Sequence, residues 1–295
     1  MPQQPTIGFI GLGLMGTPIA LKLLAAGYPL RVWGRSPDKL RPVLEQGAEE
    51  VTSRKHLAEQ CDIVVLCVTD TNAVETVVFG EDGIVEGGRS SSVLVDHSSI
   101  KPDATRGFAA RIEAECGMQW LDAPVSGGPA GVERSSLVVM AGGHESAFEK
   151  VREMVAAYAS RFTLMGSSGA GQSTKLINQT LVAANVAVVA EATQLALDAG
   201  IDAKLIPEAL AGGRADSVVL QDFMGRMIER DFTPAATISI MLKDLEMVGD
   251  LSRETGTATP ITRLVTELHR LLVARGLGDT DNSAMIRLYD KNPSS

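Results

Sequence analysis

The sequence predicts an α/β chain in two parts: a doubly wound, mostly parallel sheet followed by an all-α region. Three observations carry this. A glycine-rich turn joins a short apolar strand to an amphipathic helix near the N-terminus, strand and helix patterns alternate up to about residue 166, and helical periodicity alone continues after it. At 295 residues the chain is long for a single core, and the expected division is 1–166 and 167–295.

Thr6 to Ile10 is an apolar run that stops at Gly11-Leu12-Gly13-Leu14-Met15-Gly16, after which Ile19, Ala20, Leu23 and Leu24 recur at helical spacing. Strand, glycine turn and helix in this order predict a Rossmann-type dinucleotide site. Gly11 permits the tight turn, Gly13 lets a pyrophosphate approach the backbone, Gly16 lets the helix sit close to the strand, and the helix N-terminus favours the anion. Leu30 to Trp33 is the second strand, ending in Gly34-Arg35-Ser36-Pro37. An NAD site carries an acidic residue near here for the ribose hydroxyls. Arg35 and Ser36 instead offer a guanidinium and a hydroxyl to a 2'-phosphate, which favours NADP(H) with NAD possible. The alternative is an Arg35 that stacks on adenine or lies in solvent, and Asp38 stands close by.

Ile63 to Val68 and Val93 to Asp96 are the clearest buried strands, and residues just past their carboxyl ends line the expected cofactor crevice: Val68-Thr69-Asp70 and His97-Ser98-Ser99. His97 reads equally as a structural residue or as an acid or base. The loop from Asp122 to Pro129 brings Ser126, Gly127 and Gly128 together. Its backbone N–H groups can point at an anion such as a substrate carboxylate, although an ordinary turn has the same composition. Leu137 to Ala141 and Arg161 to Leu164 complete the sheet.

After Gly166, helical periodicity runs from about Ser173 to Ala199 and resumes at Ala203, Val218, Ile238 and Pro260. The first of these helices opens on Gly169-Ala170-Gly171-Gln172-Ser173-Thr174-Lys175-Leu176-Ile177-Asn178. Its glycines let a backbone begin a helix where something else must come close. Lys175 and Asn178, three apart, share one helix face and can reach the same small substrate. Leu176, Ile177, Leu181 and Ala184 are expected to pack inward. Lys243-Asp244 on a later helix reads by itself as a surface ion pair.

Composition narrows the classes. A net charge of −9 and the lack of a basic run argue against a nucleic-acid surface, and 45% hydrophobic with 21% charged residues describes an ordinary globular chain. Cys61, Cys67 and Cys116 are an odd number without metal-ligand spacing. They are read as small buried apolar residues of a reducing, cytoplasmic compartment, with no metal site expected. No secretory leader is visible at the N-terminus. The most apolar stretch, Leu181 to Ala190, is interrupted by Asn185 and reads as too short to span a bilayer, so no membrane partner is expected.

With these stretches assembled, the sequence resembles the β-hydroxyacid dehydrogenase family from about Ile7 to Tyr289. Four motifs carry the likeness: Gly8 to Gly16, Asp122 to Gly128, Gly169 to Asn178, and Lys243-Asp244-Leu245. Within the family, Gly83-Ile84-Val85-Glu86-Gly87 and Gly278 to Ala284 look like their counterparts in tartronate semialdehyde (2-hydroxy-3-oxopropionate) reductases. Two places depart: Glu133 to Leu137 stands where many members have a Gly-Thr or Gly-Ser step, and His97 stands where they carry a small residue or methionine. The resemblance implies that Lys175 is the catalytic acid/base, that Asn178 helps hold the substrate, and that Ser126, Gly127 and Gly128 bind its carboxylate. It implies too that Ser99 contacts the cofactor, that Lys243 closes over cofactor and substrate with Asp244 beside it, and that homodimers or homotetramers form through the helical domain.

The implied reaction is hydride transfer between a nicotinamide and a small carboxylate-bearing semialdehyde, with Lys175 donating the proton. An ordinary lysine pKa of ~10.4 is high for that exchange, and partial desolvation beside the like charge of Lys243 is expected to lower it. The rivals are an imine reductase or reductive aminase of the same architecture, and a dinucleotide-binding scaffold without catalysis.

Overall fold

The computed structural model describes residues 4–290 and divides at Lys175/Leu176 into two compact units.

In the first unit, β1 (Ile7–Ile10) leads through the glycine turn into α1 (Gly16–Ala25), and β2 (Leu30–Trp33) leads into α2 (Pro37–Leu44). There follow β3 (Glu49–Glu50), α3 (Arg54–Gln60), β4 (Ile63–Leu66), α4 (Thr71–Phe79), α5 (Ile84–Gly87), β5 (Val93–Asp96), α6 (Pro102–Cys116) and β6 (Gln119–Asp122). These six strands are parallel in the order β3-β2-β1-β4-β5-β6, in which chain order reverses beside β1. That reversal opens a crevice at the carboxyl ends of the strands. Beyond β6 come β7 (Val125–Ser126), α7 (Gly128–Glu133), β8 (Leu137–Gly143), α8 (Glu145–Val155) and β9 (Ala159–Gly166). β8 runs antiparallel to β6 and β7 and parallel to β9, which extends the sheet.

The reason for a two-faced sheet is visible in β4. Ile63 and Val65 join one apolar core with Phe9, Ile19, Val32 and Phe148, whereas Val64 and Leu66 join another with Leu57, Ile112 and Trp120. Alternate side chains point to opposite faces, so a strand covered by helices on both sides must be apolar throughout, as Ile-Val-Val-Leu is.

In the second unit, α9 (Ala170–Asp198), which begins in the first, continues from Leu176. It is followed by a 3-10 turn (Ala203–Leu205), α10 (Ile206–Leu210), α11 (Val218–Glu229), α12 (Ile238–Thr255), α13 (Pro260–Ala274) and a 3-10 stretch (Asn282–Tyr289). Hydroxyls of Ser217 and Thr237 cap α11 and α12 by accepting from Leu220 and Ile240 N–H, so these two starts coincide with the expected ones. Val186, Val189 and Ala190 of α9 pack with Leu220, Met224, Met227 and Met285, while Ala183 and Ala187 pack with Met241, Leu245 and Val265.

Two expectations about α9 are corrected. At 29 residues it is long and apolar enough, by length and composition, to cross a membrane. The apolar stretch Leu181 to Ala190, interrupted by Asn185, reads as too short to span a bilayer, but Asn185 Nδ2 donates to Leu181 O within a helix that is apolar over a longer span. Of the four residues expected inward, Leu176 is buried and Ala184 half-buried, but Ile177 and Leu181 are 59% and 61% exposed. Val188 and Leu195 extend the same exposed stripe, each seven residues or two helical turns further on. One face of the helix is therefore taken by α11 to α13 and the other is bare.

The two stretches that pointed to one branch of the family act here through packing. A Cβ on Gly87 would stand 2.2 Å from Lys55 O, which is why α5 packs so closely on α3. Asp281, buried within Gly278 to Ala284, accepts from Ala235 and Ser283 N–H and pairs with Arg226 at 2.9 Å.

Candidate active site

The glycine turn is built as its residue types require. Gly11 sits at φ +101°, and a Cβ there would lie 2.1 Å from Cys67 O. A Cβ on Gly16 would meet Gly11 O at 1.9 Å, so this glycine lets α1 close on the turn itself rather than only on the strand. Gly13 differs: open space surrounds the position of its Cβ. α1 has neither a side-chain cap nor an acidic residue in its first turn, and Leu14 is exposed while Leu12 is buried. An uncapped helix N-terminus with a bare glycine before it fits a pyrophosphate.

Past β2, Arg35 is exposed and Ser36 is the N-cap residue of α2, its hydroxyl making no cap bond. Asp38, the nearby carboxylate, pairs with Arg41. Past β4, Val68 N–H donates to Ser98 Oγ at 3.0 Å, and Asp70 caps α4 while accepting from the Thr69 hydroxyl. Past β5, Ser99 is half-buried.

His97 is a structural residue. Its Nδ1 lies 2.6 Å from Ala123 O and its Nε2 2.9 Å from Tyr158 Oη, a pairing complete for a neutral ring that donates to the carbonyl and accepts from the phenol. Burial holds its pKa down at about 4. Burial likewise pushes the Cys61 and Cys67 thiols up to about 12, which makes them inert, although Cys67 and Cys116 are half-buried rather than buried.

Past β6, Ser126 is half-buried at the end of β7. Gly127 (φ +126°) and Gly128 (φ +62°) turn the chain into α7, with no atom near a Cβ at Gly128. Ser135, in the stretch where many relatives place a glycine step, has φ +49°. The Ser135 hydroxyl accompanies that left-handed conformation by donating to Ala157 O.

The first turn of α9 belongs to this unit, and here the sequence reading missed two residues. Asp122 is fully buried, and its oxygens accept from Gly169 N–H at 2.8 Å and Gln172 N–H at 2.9 Å. Gln172, also buried, donates through Nε2 to Ser98 O (2.7 Å) and accepts through Oε1 from Ile100 N–H (3.2 Å). A Cβ on Gly171 would stand 2.4 Å from Met140 O. What comes close to Gly171 is thus the chain's own sheet, and what comes close to Gly169 is α6, through Pro102 O and Arg106. Lys175 follows one turn later, 8% exposed.

In the second unit, Asn178 Nδ2 donates to Gln179 Oε1 at 2.9 Å, and Gln179 Nε2 donates to Asp244 Oδ2 at 2.6 Å. Asp244, buried, pairs with the partly exposed Lys243 at 3.3 Å. Lys243-Asp244 is therefore one end of a chain of four polar side chains rather than a surface ion pair, and Gln179 is the link not foreseen.

A Rossmann-ordered sheet with a bare glycine turn, joined to a helical unit through a helix bearing a sequestered lysine, defines a nicotinamide-dinucleotide oxidoreductase. Residues 6–166 match the family described as the NAD binding domain of 6-phosphogluconate dehydrogenase, and residues 169–289 match that described as NAD-binding of NADP-dependent 3-hydroxyisobutyrate dehydrogenase. The chain is 38% identical over 286 residues to 2-hydroxy-3-oxopropionate reductase of Escherichia coli strain K12, covering 96% of this chain and 97% of that one. It is 31% identical over 292 residues to 2-(hydroxymethyl)glutarate dehydrogenase of Eubacterium barkeri, with 99% and 97% covered. Among solved structures, 3-hydroxyisobutyrate dehydrogenase from Salmonella typhimurium superposes with a TM-score of 0.87 at 29% identity, covering 96% of this chain and 99% of that one. The chain belongs to the 3-hydroxyisobutyrate dehydrogenase-like β-hydroxyacid dehydrogenases and is an NAD(P)-dependent oxidoreductase of hydroxy acids and semialdehydes.

Proposed function

We propose that the chain reduces 2-hydroxy-3-oxopropionate, or a close semialdehyde carrying a carboxylate, with NADPH as the preferred cofactor. The observation that carries this reading is the place of Lys175: almost out of water, one turn after a helix start held by backbone contacts. When bound, the nicotinamide supplies a hydride to the carbonyl carbon. Lys175 Nζ stabilises the charge that develops on the carbonyl oxygen and gives it a proton, so that aldehyde, hydride and proton together make the primary alcohol. The Ser126 hydroxyl and the backbone of Gly127 and Gly128 hold the carboxylate, and Asn178 orients the substrate. Leu12, Leu14, Met15, Val68, Thr69 and Ser99 line the cofactor, while Lys243, paired with Asp244, adds a positive charge for it. The choice of NADPH is supported by the exposed Arg35 beside Ser36 and by the engagement of Asp38 with Arg41.

The test is a screen of NADPH and NADH against 2-hydroxy-3-oxopropionate, glyoxylate, succinic semialdehyde and a cyclic imine, with 3-hydroxyisobutyrate and threonate in the oxidative direction. The expected result is the highest kcat/KM with 2-hydroxy-3-oxopropionate and NADPH, and a ~10-fold or larger fall in the NADPH:NADH ratio for Arg35→Ala, the scale of one charge-assisted bond. Preference for the imine would establish the reductive-aminase reading. Self-association through the helical unit is part of the proposal, supported by the exposed stripe Ile177, Leu181, Val188 and Leu195. Light scattering of Leu181→Asp against wild type tests it, and a monomeric wild type would reject it.

A further inference from the structure

At the start of α9, Ala170 N–H donates to the nearby Ser167 O, but Gly169 and Gln172 N–H find their acceptor far along the chain: Asp122, 47 and 50 residues before them, takes one on each carboxylate oxygen. The fit is tight on every side. A Cβ on Gly142 would lie 2.7 Å from Gly171 N and 2.8 Å from both Asp122 oxygens. Gln172 fastens the same turn to Ser98 O and Ile100 N–H, in the loop after β5 that carries Ser99. The first turn is therefore held at the ends of β5 and β6, and Lys175, three residues after Gln172, takes its place from that turn. We propose that Asp122, assisted by Gln172, is a positioning residue for the proton transfer and acts by setting where Lys175 Nζ stands. This rests on the acid/base role of Lys175 proposed above.

The chemistry of Asp122 gives the idea a second readout. Burial outweighs the backbone N–H groups and raises its carboxyl to about 6. Around it, β5 contributes Asp96 at the paired register position, β8 contributes Met140 and Gly142, and α9 contributes no charge between Gly169 and Thr174. Arg106 of α6 lies against Gly169, and His97 bonds the adjoining Ala123 carbonyl. Protonation relieves the buried charge, which favours the fold as a whole, but places a hydroxyl where one of the two N–H groups needs an acceptor, which frees that N–H and shifts the turn. The expected consequence is an acid limb in kcat below about pH 6.

The experiment is a double-mutant cycle on the intact chain, with 2-hydroxy-3-oxopropionate and NADPH, comparing wild type, Asp122→Asn, Lys175→Ala and the double variant. Asn keeps the shape but turns an amide N–H toward one of the two donors. The expected result is a ~10- to 100-fold fall in kcat, the scale of a misplaced reacting group. The NADPH Kd is unchanged, the acid limb is lost, and Asp122→Asn causes no further fall in the Lys175→Ala background. Gln172→Met, which removes two hydrogen bonds at constant length, repeats the test if Asp122→Asn fails to fold. Equal losses in both backgrounds overturn the proposal. If Lys175→Ala alone stays within a few-fold of wild type, the acid/base reading has failed, and the positioning role falls with it.

Discussion

The two stretches of α9 on either side of Lys175 are held by different physics. Before it, Gly169 to Gln172 is docked by backbone groups against a buried carboxylate and a carbonyl, with glycines at the contact points because a Cβ does not fit. After it, Asn178, Gln179, Asp244 and Lys243 are linked in turn through side-chain ends, beside the apolar packing of α9 on α12. Backbone docking sets the position of a helix, whereas side-chain pairing sets the orientation of polar groups on it. A lysine placed one turn after the docked glycines takes its location from the first.

The comparison can be broken most severely at its centre. Lys175→Ala is expected to lower kcat by ~100- to 10,000-fold with cofactor affinity retained, the usual worth of acid/base help, and steady-state kinetics with cofactor titration measures both. Turnover within a few-fold of wild type would leave the junction without a chemical purpose.

Gln179→Leu is expected to act more weakly. It leaves the buried Asp244 short of a donor and Asn178 short of an acceptor, and such a loss amounts to ~1–3 kcal/mol. A fall of roughly 10-fold in kcat/KM, with kcat affected less than by Asp122→Asn, would sharpen the division between placing and orienting. Unchanged kinetics would reduce the network to packing.

The smallest effect concerns acid stability, where two buried groups at the ends of neighbouring strands oppose each other. Unfolded, His97 takes a proton below ~6.5, but in the fold only below about 4, so acidification through that window withdraws stability at ~1.4 kcal/mol per pH unit. Asp122 has the opposite sign: the fold binds its proton from about 6 and the unfolded chain only from ~3.9, so the same acidification adds stability. In wild type the two slopes nearly cancel. Urea unfolding at pH 6.5 and 4.5 is expected to show Asp122→Asn losing ~2 kcal/mol more than wild type across that interval, and His97→Gln losing less than wild type. Parallel profiles for all three chains would refute both assignments.

These sites differ in how far they could be read in advance. Gly11 and Gly16 were legible through what is local to them, a positive φ at Gly11 and the Gly11 carbonyl against Gly16, while the approach of Cys67 O to Gly11 was not. The helix starts at Val218 and Ile238 were legible for the same reason, each with its cap one residue before it. The glycines at 169 and 171 signalled a close approach correctly, and the chain itself supplies it: Pro102 and Arg106 at Gly169, Met140 and Asp122 at Gly171. Asp122, Gln172 and the tie from Gln179 to Asp244 carry no local signal, since those partners lie 47 to 74 residues away. Ile177 and Leu181 were misplaced because apolarity states a preference for leaving water without saying which face of a long helix finds a partner in the same chain.

Periodicity and turn chemistry were enough to specify the alternation of strands and helices, the dinucleotide turn and the helix that bears the lysine, because each depends on residues within a few positions of one another. Which polar groups meet was decided only when the chain folded. A buried carboxylate needs donors from anywhere that geometry can bring them, and nothing in the order of residues records the distance across a sheet from Asp122 to the first turn of α9.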